Sequence, residues 1–165
     1  MAHHTLRTWL LPLFCLAIPL SVGIVGSFFT VGSIPGWYAG LNKPAINPPA
    51  WVFGPVWTVL YSLMGLSLYL ILRYGTERAL IQRSVFFFAA QLALNLLWSL
   101  VFFGGHAMAA ALVVLLLLIV LIAATMLTFG RISLPAAWLL VPYLAWCCFA
   151  AVLNMQIWIL NGVNA

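Results

Sequence analysis

The sequence predicts an all-α integral membrane protein, a five-transmembrane-helix bundle with a long loop 1 as a lid. Three observations predict it. Hydrophobic residues make up 67% of the 165 positions and charged residues only 4%, whereas a water-soluble domain is roughly 25% charged. Five apolar stretches reach the ~20 residues that a spanning helix needs. The basic residues also fall unevenly between alternate connections, as they do in multi-pass membrane proteins. Lipid cannot hydrogen-bond an exposed backbone, so a spanning segment is a helix or part of a closed barrel. A barrel would show alternating segments of about 10 residues, and Leu115–Ile119 (LLLLI) does not alternate.

The expected spans are Trp9–Phe29, Trp51–Leu72, Gln82–Phe102, Ala107–Phe129 and Leu134–Leu160, forming one domain over residues 1–165. The first carries Pro12 and Pro19, is too long for the apolar core of a usual signal peptide, and lacks an A-x-A cleavage site. It reads as a retained helix. Loop 1, Thr30–Ala50, is the one long connection. Four prolines stiffen it, and Gly32, Gly36 and Gly40 allow sharp turns. It also carries Trp37, Tyr38 and Leu41. Two readings fit these residues: a lid packed over a site, or an anchor at the membrane surface.

The second span places Trp57, Tyr61 and Met64 on one face, at i, i+4 and i+7. The third does the same with Gln91, Asn95 and Trp98. The fourth is aliphatic as far as Thr125 and reads as lipid-facing or supporting. The fifth aligns Tyr143, Trp146, Ala150 and Asn154. At ~1.5 Å rise per residue, Trp57, Asn95 and Asn154 lie about 9–10 Å below the loop 1 face, Ala150 about 15 Å and Trp146 about 20 Å. The second, third and fifth spans thus suggest an aromatic cavity in the half nearest loop 1, suited to a flat or lipid-like ligand. The competing reading is that Gln91, Asn95 and Asn154 join helices by hydrogen bonds. Small residues recur four apart at Gly23/Ser27, Ala89/Ala93 and Ala107/Ala111, which allows close helix approach within the chain or between copies.

Charge sets an expected orientation. Arg7, Arg73, Arg78, Arg83 and Arg131 fall at one end and Lys43 at the other. The positive-inside rule then puts the N-terminus inside, with loop 1 and the C-terminus outside. The net charge of +5 is a topology signal, and no nucleic-acid partner is expected. Glu77, the sole acidic residue, is flanked by Arg73 and Arg78, which can pair with it. His3 and His4 are terminal, and His106 stands alone in a short loop. Cys147 and Cys148 point about 100° apart on a helix and Cys15 is in another span, so all three read as small apolar residues. No metal site, hydrolytic triad or phosphate loop can be assembled, and no intramembrane carboxylate is present to couple protons.

The run Trp37–Leu66, WYAGLNKPAINPPAWVFGPVWTVLYSLMGL, resembles the signature of the translocator protein family, also called tryptophan-rich sensory protein or peripheral-type benzodiazepine receptor. Gln91–Gly104 (QLALNLLWSLVFFG) and Pro142–Asn154 (PYLAWCCFAAVLN) agree with it. The resemblance implies a five-helix bundle, often a homodimer, with a pocket opening toward loop 1. It implies porphyrins or haem-like tetrapyrroles as ligands, with no cofactor required. It also implies a part in tetrapyrrole regulation or stress sensing, or light-dependent porphyrin breakdown. The family's two tryptophans tied to breakdown match Trp57 and Trp146, and further pocket positions match Trp37, Tyr38, Asn95 and Ala150. Tyr61, Trp98, Tyr143 and Asn154 join that set from the stripes alone. Two departures stand out: Ile46 replaces a frequent Trp, and Val152–Trp158 (VLNMQIW) lacks the Tyr and basic residue of the animal sterol motif. The resemblance therefore implies a bacterial membrane protein and argues against sterol binding. A structural membrane protein with an incidental cavity is the plain alternative.

Overall fold

The computed structural model describes residues 2–162, and side chains from Leu10 onward. The side chains of His3, His4, Arg7 and Trp9, with Met1 and residues 163–165, lie outside that description. All regular structure among the described residues is helical. It runs α1 (Ala2–Ser33), α2 (Ala50–Tyr74), α3 (Arg78–Ser99), α4 (Met108–Gly130), α5 (Leu134–Trp138) and α6 (Val141–Gly162). Wide π-helical turns, Ile34–Tyr38 and Leu100–Gly104, extend α1 and α3. Five segments are long and apolar enough to span a bilayer: Leu10–Tyr38, Ala50–Tyr74, Arg78–Gly104, Met108–Gly130 and Leu134–Gly162. The chain is thus a multi-pass membrane protein.

The surface confirms which solvent the bundle meets. Phe28 is 75% exposed, Leu127 72% and Val120 64%, a load of outward apolar side chains that suits acyl chains and would aggregate in water. Trp51 and Trp138 are exposed at opposite ends of the bundle, where amphipathic rings settle at the two headgroup layers.

Packing orders the helices in a ring: α1 lies against α2 and α3, α3 against α4, α4 against α6 and α5, and α5 against α2. Helix α4 is a central support. It buries Ala111, Leu115, Leu118, Ile122 and Phe129 while Val113, Leu116 and Val120 face outward. Of the small-residue pairs, Gly23 faces the Tyr61 ring and Ala111 is fully buried, so both serve contacts within the chain. Ala89 and Ala93 face outward from α3. All three cysteines are free; Cys15 and Cys147 are buried and Cys148 is exposed.

Two expectations need correction. Loop 1 is shorter than Thr30–Ala50, because the helix continues to Ser33 and then through the π-turn to Tyr38. Thr30 Oγ1 donates to Gly26 O at 3.1 Å, inside the helix. Pro35 lacks an N–H and enters at the first positions of the wide turn, where its missing donor costs least. The fifth span is likewise not one helix. Pro142 cannot donate to Trp138 O and its ring crowds that carbonyl. The chain therefore ends α5 at Trp138, passes through Leu139–Leu140 and restarts at Val141. Ser67 Oγ of α2 donates to Ala136 O at 2.7 Å and secures the short helix.

Candidate functional site

Helix spacing carries the aromatic stripes inward at the loop 1 end. Trp57 stacks on Tyr61 with ring centroids 5.3 Å apart and meets Tyr143 edge-on at 6.2 Å. Phe53, one turn before Trp57, meets Trp146 edge-on at 6.1 Å. These aromatic side chains bridge α2 and α6. On α3, Trp98 stacks on Phe102 at 5.4 Å.

The polar residues mostly join helices. Tyr61 O–H donates to Asn95 Oδ1 at 2.6 Å, and Asn95 Nδ2 donates to Tyr143 Oη at 3.2 Å. One amide thereby ties α2, α3 and α6 together. Trp98 Nε1–H donates to Asn154 Oδ1 at 3.2 Å, and Asn154 Nδ2 donates to Met108 O at 2.8 Å. Joining helices, the competing reading of the polar stripe, is therefore the role that Asn95 and Asn154 perform. The buried Gln91 amide has no hydrogen-bond partner among the described residues.

The main cavity at the loop 1 end, about 500 Å³, lies between α1, α2 and α3. That is within the usual range of roughly 300–1,000 Å³ for ligand sites. Trp51, Phe53, Trp57, Tyr61, Trp98 and Phe103 supply its aromatic walls. Gly54 leaves space, with nothing within 4 Å of a Cβ placed there, and Gly23, against the Tyr61 ring, joins Ile24, Ser27 and Val31 on the α1 side. A second, narrow cavity of about 40 Å³ adjoins it toward α6, between Tyr38, Phe53, Trp98, Phe102, Ala150 and Asn154. The space expected between the second, third and fifth spans is thus largely filled by side chains. The room lies one helix over, against α1.

The ten residues singled out from sequence divide accordingly. Trp57, Tyr61 and Trp98 line the main cavity. Tyr38, Ala150 and Asn154 line the narrow one, which Trp98 shares. Asn95 and Tyr143 are buried behind the wall in the hydrogen-bonded network. Trp146 lies behind Phe53 and against Phe149. Trp37 stacks on His106 at 4.2 Å and abuts Phe102 at 5.5 Å, so it clamps loop 1 rather than lining either space.

Sequence reading missed the α1 wall and Phe53, Phe102 and Phe103. The phenylalanines had a signal, since Phe53 and Phe102 lie four residues from Trp57 and Trp98 on the same faces. The α1 wall had none, because it carries no aromatic or strongly polar stripe. Loop 1 is also held by Asn42, Asn47 and Asn161, which sequence did not single out. Asn42 N–H donates to Asn161 Oδ1 and Asn161 Nδ2 donates to Asn42 O, both at 2.8 Å. Tyr38 O–H donates to Asn47 Oδ1 at 2.8 Å. Lys43 Nζ sits 4.9 Å from the Tyr38 ring centroid and donates to Ala39 O and Leu41 O. His106 takes a left-handed φ of 53° to present its ring to Trp37.

The Asn42–Asn161 pair predicts a specific lid response. Asn161→Ala removes both bonds, each worth about 0.5–1.5 kcal/mol. Amide exchange at Asn42 is expected to speed up about tenfold while exchange in α4 stays unchanged. Unchanged exchange at Asn42 would show that the π-turn and the Trp37 stack hold the loop without Asn161.

These features define a class: a five-span membrane protein with an aromatic cavity beneath a pinned loop. The TspO/MBR family pattern matches residues 15–159, and the chain belongs to that family. Its relatives include the tryptophan-rich protein TspO of Chlorobaculum tepidum, 46% identical over 147 residues, 89% of this chain and 93% of the relative. The Archaeoglobus fulgidus protein of the same name is 43% identical over 87% of this chain and 92% of its own length. The human translocator protein is 44% identical over 81% of this chain and 80% of its own. The similarity is shared by a bacterium, an archaeon and a mammal.

Proposed function

We propose that this protein is a membrane receptor or carrier that binds porphyrins and related tetrapyrroles in the α1–α2–α3 cavity, with a role in tetrapyrrole regulation or stress sensing. The observation that carries the reading is the convergence of Trp51, Phe53, Trp57, Tyr61, Trp98 and Phe103 on one cavity of about 500 Å³. A macrocycle offers two broad π faces, and stacked or edge-on aromatic contacts add roughly 0.5–1.5 kcal/mol each beyond area burial. The positive-inside rule gives the finer topology, with loop 1 facing outward. A homodimer through the outward Ala89/Ala93 face of α3 belongs to the same reading, and a monomeric mass for the reconstituted protein removes that part of it.

Protoporphyrin IX titrated into reconstituted protein in the dark is expected to quench tryptophan fluorescence saturably. Trp57→Ala should weaken binding about tenfold, equivalent to about 1.4 kcal/mol. Trp146→Ala, behind the wall, should change dark binding little. Equal, unsaturable uptake by wild type and Trp57→Ala would instead indicate a structural membrane protein with an incidental cavity.

A second reading, light-dependent porphyrin breakdown, is favoured by Trp146 lying one ring behind the cavity through Phe53. The excited macrocycle would carry that chemistry. The same titration under light tests it: Trp146→Phe should lower the yield of any photoproduct at unchanged binding, and an unchanged yield removes Trp146 from the scheme.

A further inference from the structure

We infer that the arginine-rich end of the bundle holds one anionic glycerophospholipid, seated in a groove between the end of α4 and the α5–α6 break with its headgroup on Arg131. The groove is open on one side, with room of about 650 Å³, and its lining extends from Arg131 and Leu134 to Ala123 and Leu144. From Arg131 to Ala123 along α4 is about 12 Å at ~1.5 Å per residue, enough for the upper part of an acyl chain. The helix break lies beside it, between Trp138 and Val141 of its lining. The chain turns at Leu139–Leu140, and both α5 and α6 lie against α4 on either side of the turn. Gly130 and Ala137 bring α4 and α5 into close approach at the floor, where a Cβ built on Gly130 would stand 3.7 Å from the Ala137 Cβ. Their small side chains keep that floor low beneath Leu127, Leu134 and Trp138.

Its chemistry is that of a lipid in place, with a cationic rim and an apolar floor. Leu127 is 72% exposed and Trp138 65% exposed along its sides. Tryptophan at this depth marks the headgroup layer, so Arg131 stands at phosphate level. Charge complementarity selects an anionic lipid. The chain has five arginines and one acidic side chain, Glu77, so at least four arginines have no carboxylate side chain to pair with. A guanidinium binds a phosphate through two parallel hydrogen bonds, and basic pockets between spanning helices favour anionic headgroups.

The test compares phosphatidylglycerol with phosphatidylcholine of the same acyl chains, added to delipidated protein and counted by native mass spectrometry. One phosphatidylglycerol should be retained with about a fivefold preference, equivalent to about 1 kcal/mol for one basic residue at an anionic surface. Arg131→Gln should abolish the preference, and Arg131→Lys should keep most of it. Ala137→Phe, which fills the groove, should lose the bound lipid with Arg131 intact. Quenching of Trp138, taken as the difference between wild type and Trp138→Phe, gives a readout independent of that core change: phosphatidylglycerol brominated near the top of its acyl chains should quench it more than the matching brominated phosphatidylcholine. Equal retention of the two lipids, or a preference that survives Arg131→Gln, overturns the assignment. So does a preference lost only when Arg73, Arg78 and Arg83 are neutralised, which would locate the lipid at the α2–α3 connection.

Discussion

Gly65→Val is expected to destabilise the bundle by about 3 kcal/mol, at the upper end of overpacking costs. A Cβ at residue 65 would lie 2.7 Å from Leu16 Cα and 2.9 Å from Cys15 O. Those atoms are backbone, so no rotamer change relieves the clash and α1 must move away from α2. That separation would loosen Cys15 and Met64, both fully buried beside it, and would widen the cavity that the two helices share. Gly32→Ala is the matched control, since nothing lies within 4 Å of its position. It should gain about 0.5–1 kcal/mol from the lower helix cost of alanine. Thermal unfolding followed by circular dichroism in one detergent measures both. Equal melting of the two variants would show that the α1–α2 contact at Gly65 does not limit stability.

Asn95→Leu has the next largest expected effect, about 2 kcal/mol. The side chain is 2% exposed and holds Tyr61 and Tyr143 at once. Leucine fills similar volume but leaves the Tyr61 hydroxyl without its acceptor and Tyr143 without its donor. A buried polar group left unpaired costs about 1–3 kcal/mol, and interhelical bonds in membranes run about 0.6–2. The loss should also reach the cavity, because Tyr61 lines it and stacks on Trp57. Adding Tyr61→Phe and Tyr143→Phe removes the stranded hydroxyls and should restore most of the stability. Failure of that rescue would assign the loss to packing around residue 95 and not to the hydrogen bonds.

The candidate site is partly legible in the sequence. Trp57, Tyr61 and Trp98 share faces set by helical periodicity, and those faces do turn into the bundle at the loop 1 end. Asn95 and Asn154 could be placed at the right depth but not given a role. An amide buried in a membrane serves a ligand or a neighbouring helix equally well in sequence terms, and only Tyr61, Tyr143 and Met108 on facing helices show the second. The lid ties were illegible, because Asn42 and Asn161 are 119 residues apart.

Composition and apolar run length alone determined that the chain crosses a membrane, about how many times, and which connections share an end. Those properties follow from transfer free energies and charge, which add up along the chain without reference to its neighbours. The tertiary structure alone decided where the room is. Phe53, Trp98 and Phe102 crowd the space toward α6, while Gly54 leaves it open toward α1. It also decided that Gly65 is a contact and Gly32 is not, and that a groove beneath Arg131 runs between α4 and the α5–α6 segment. Cavities and close approaches belong to the gap between two helices, and a sequence lists each helix without saying which partner it meets.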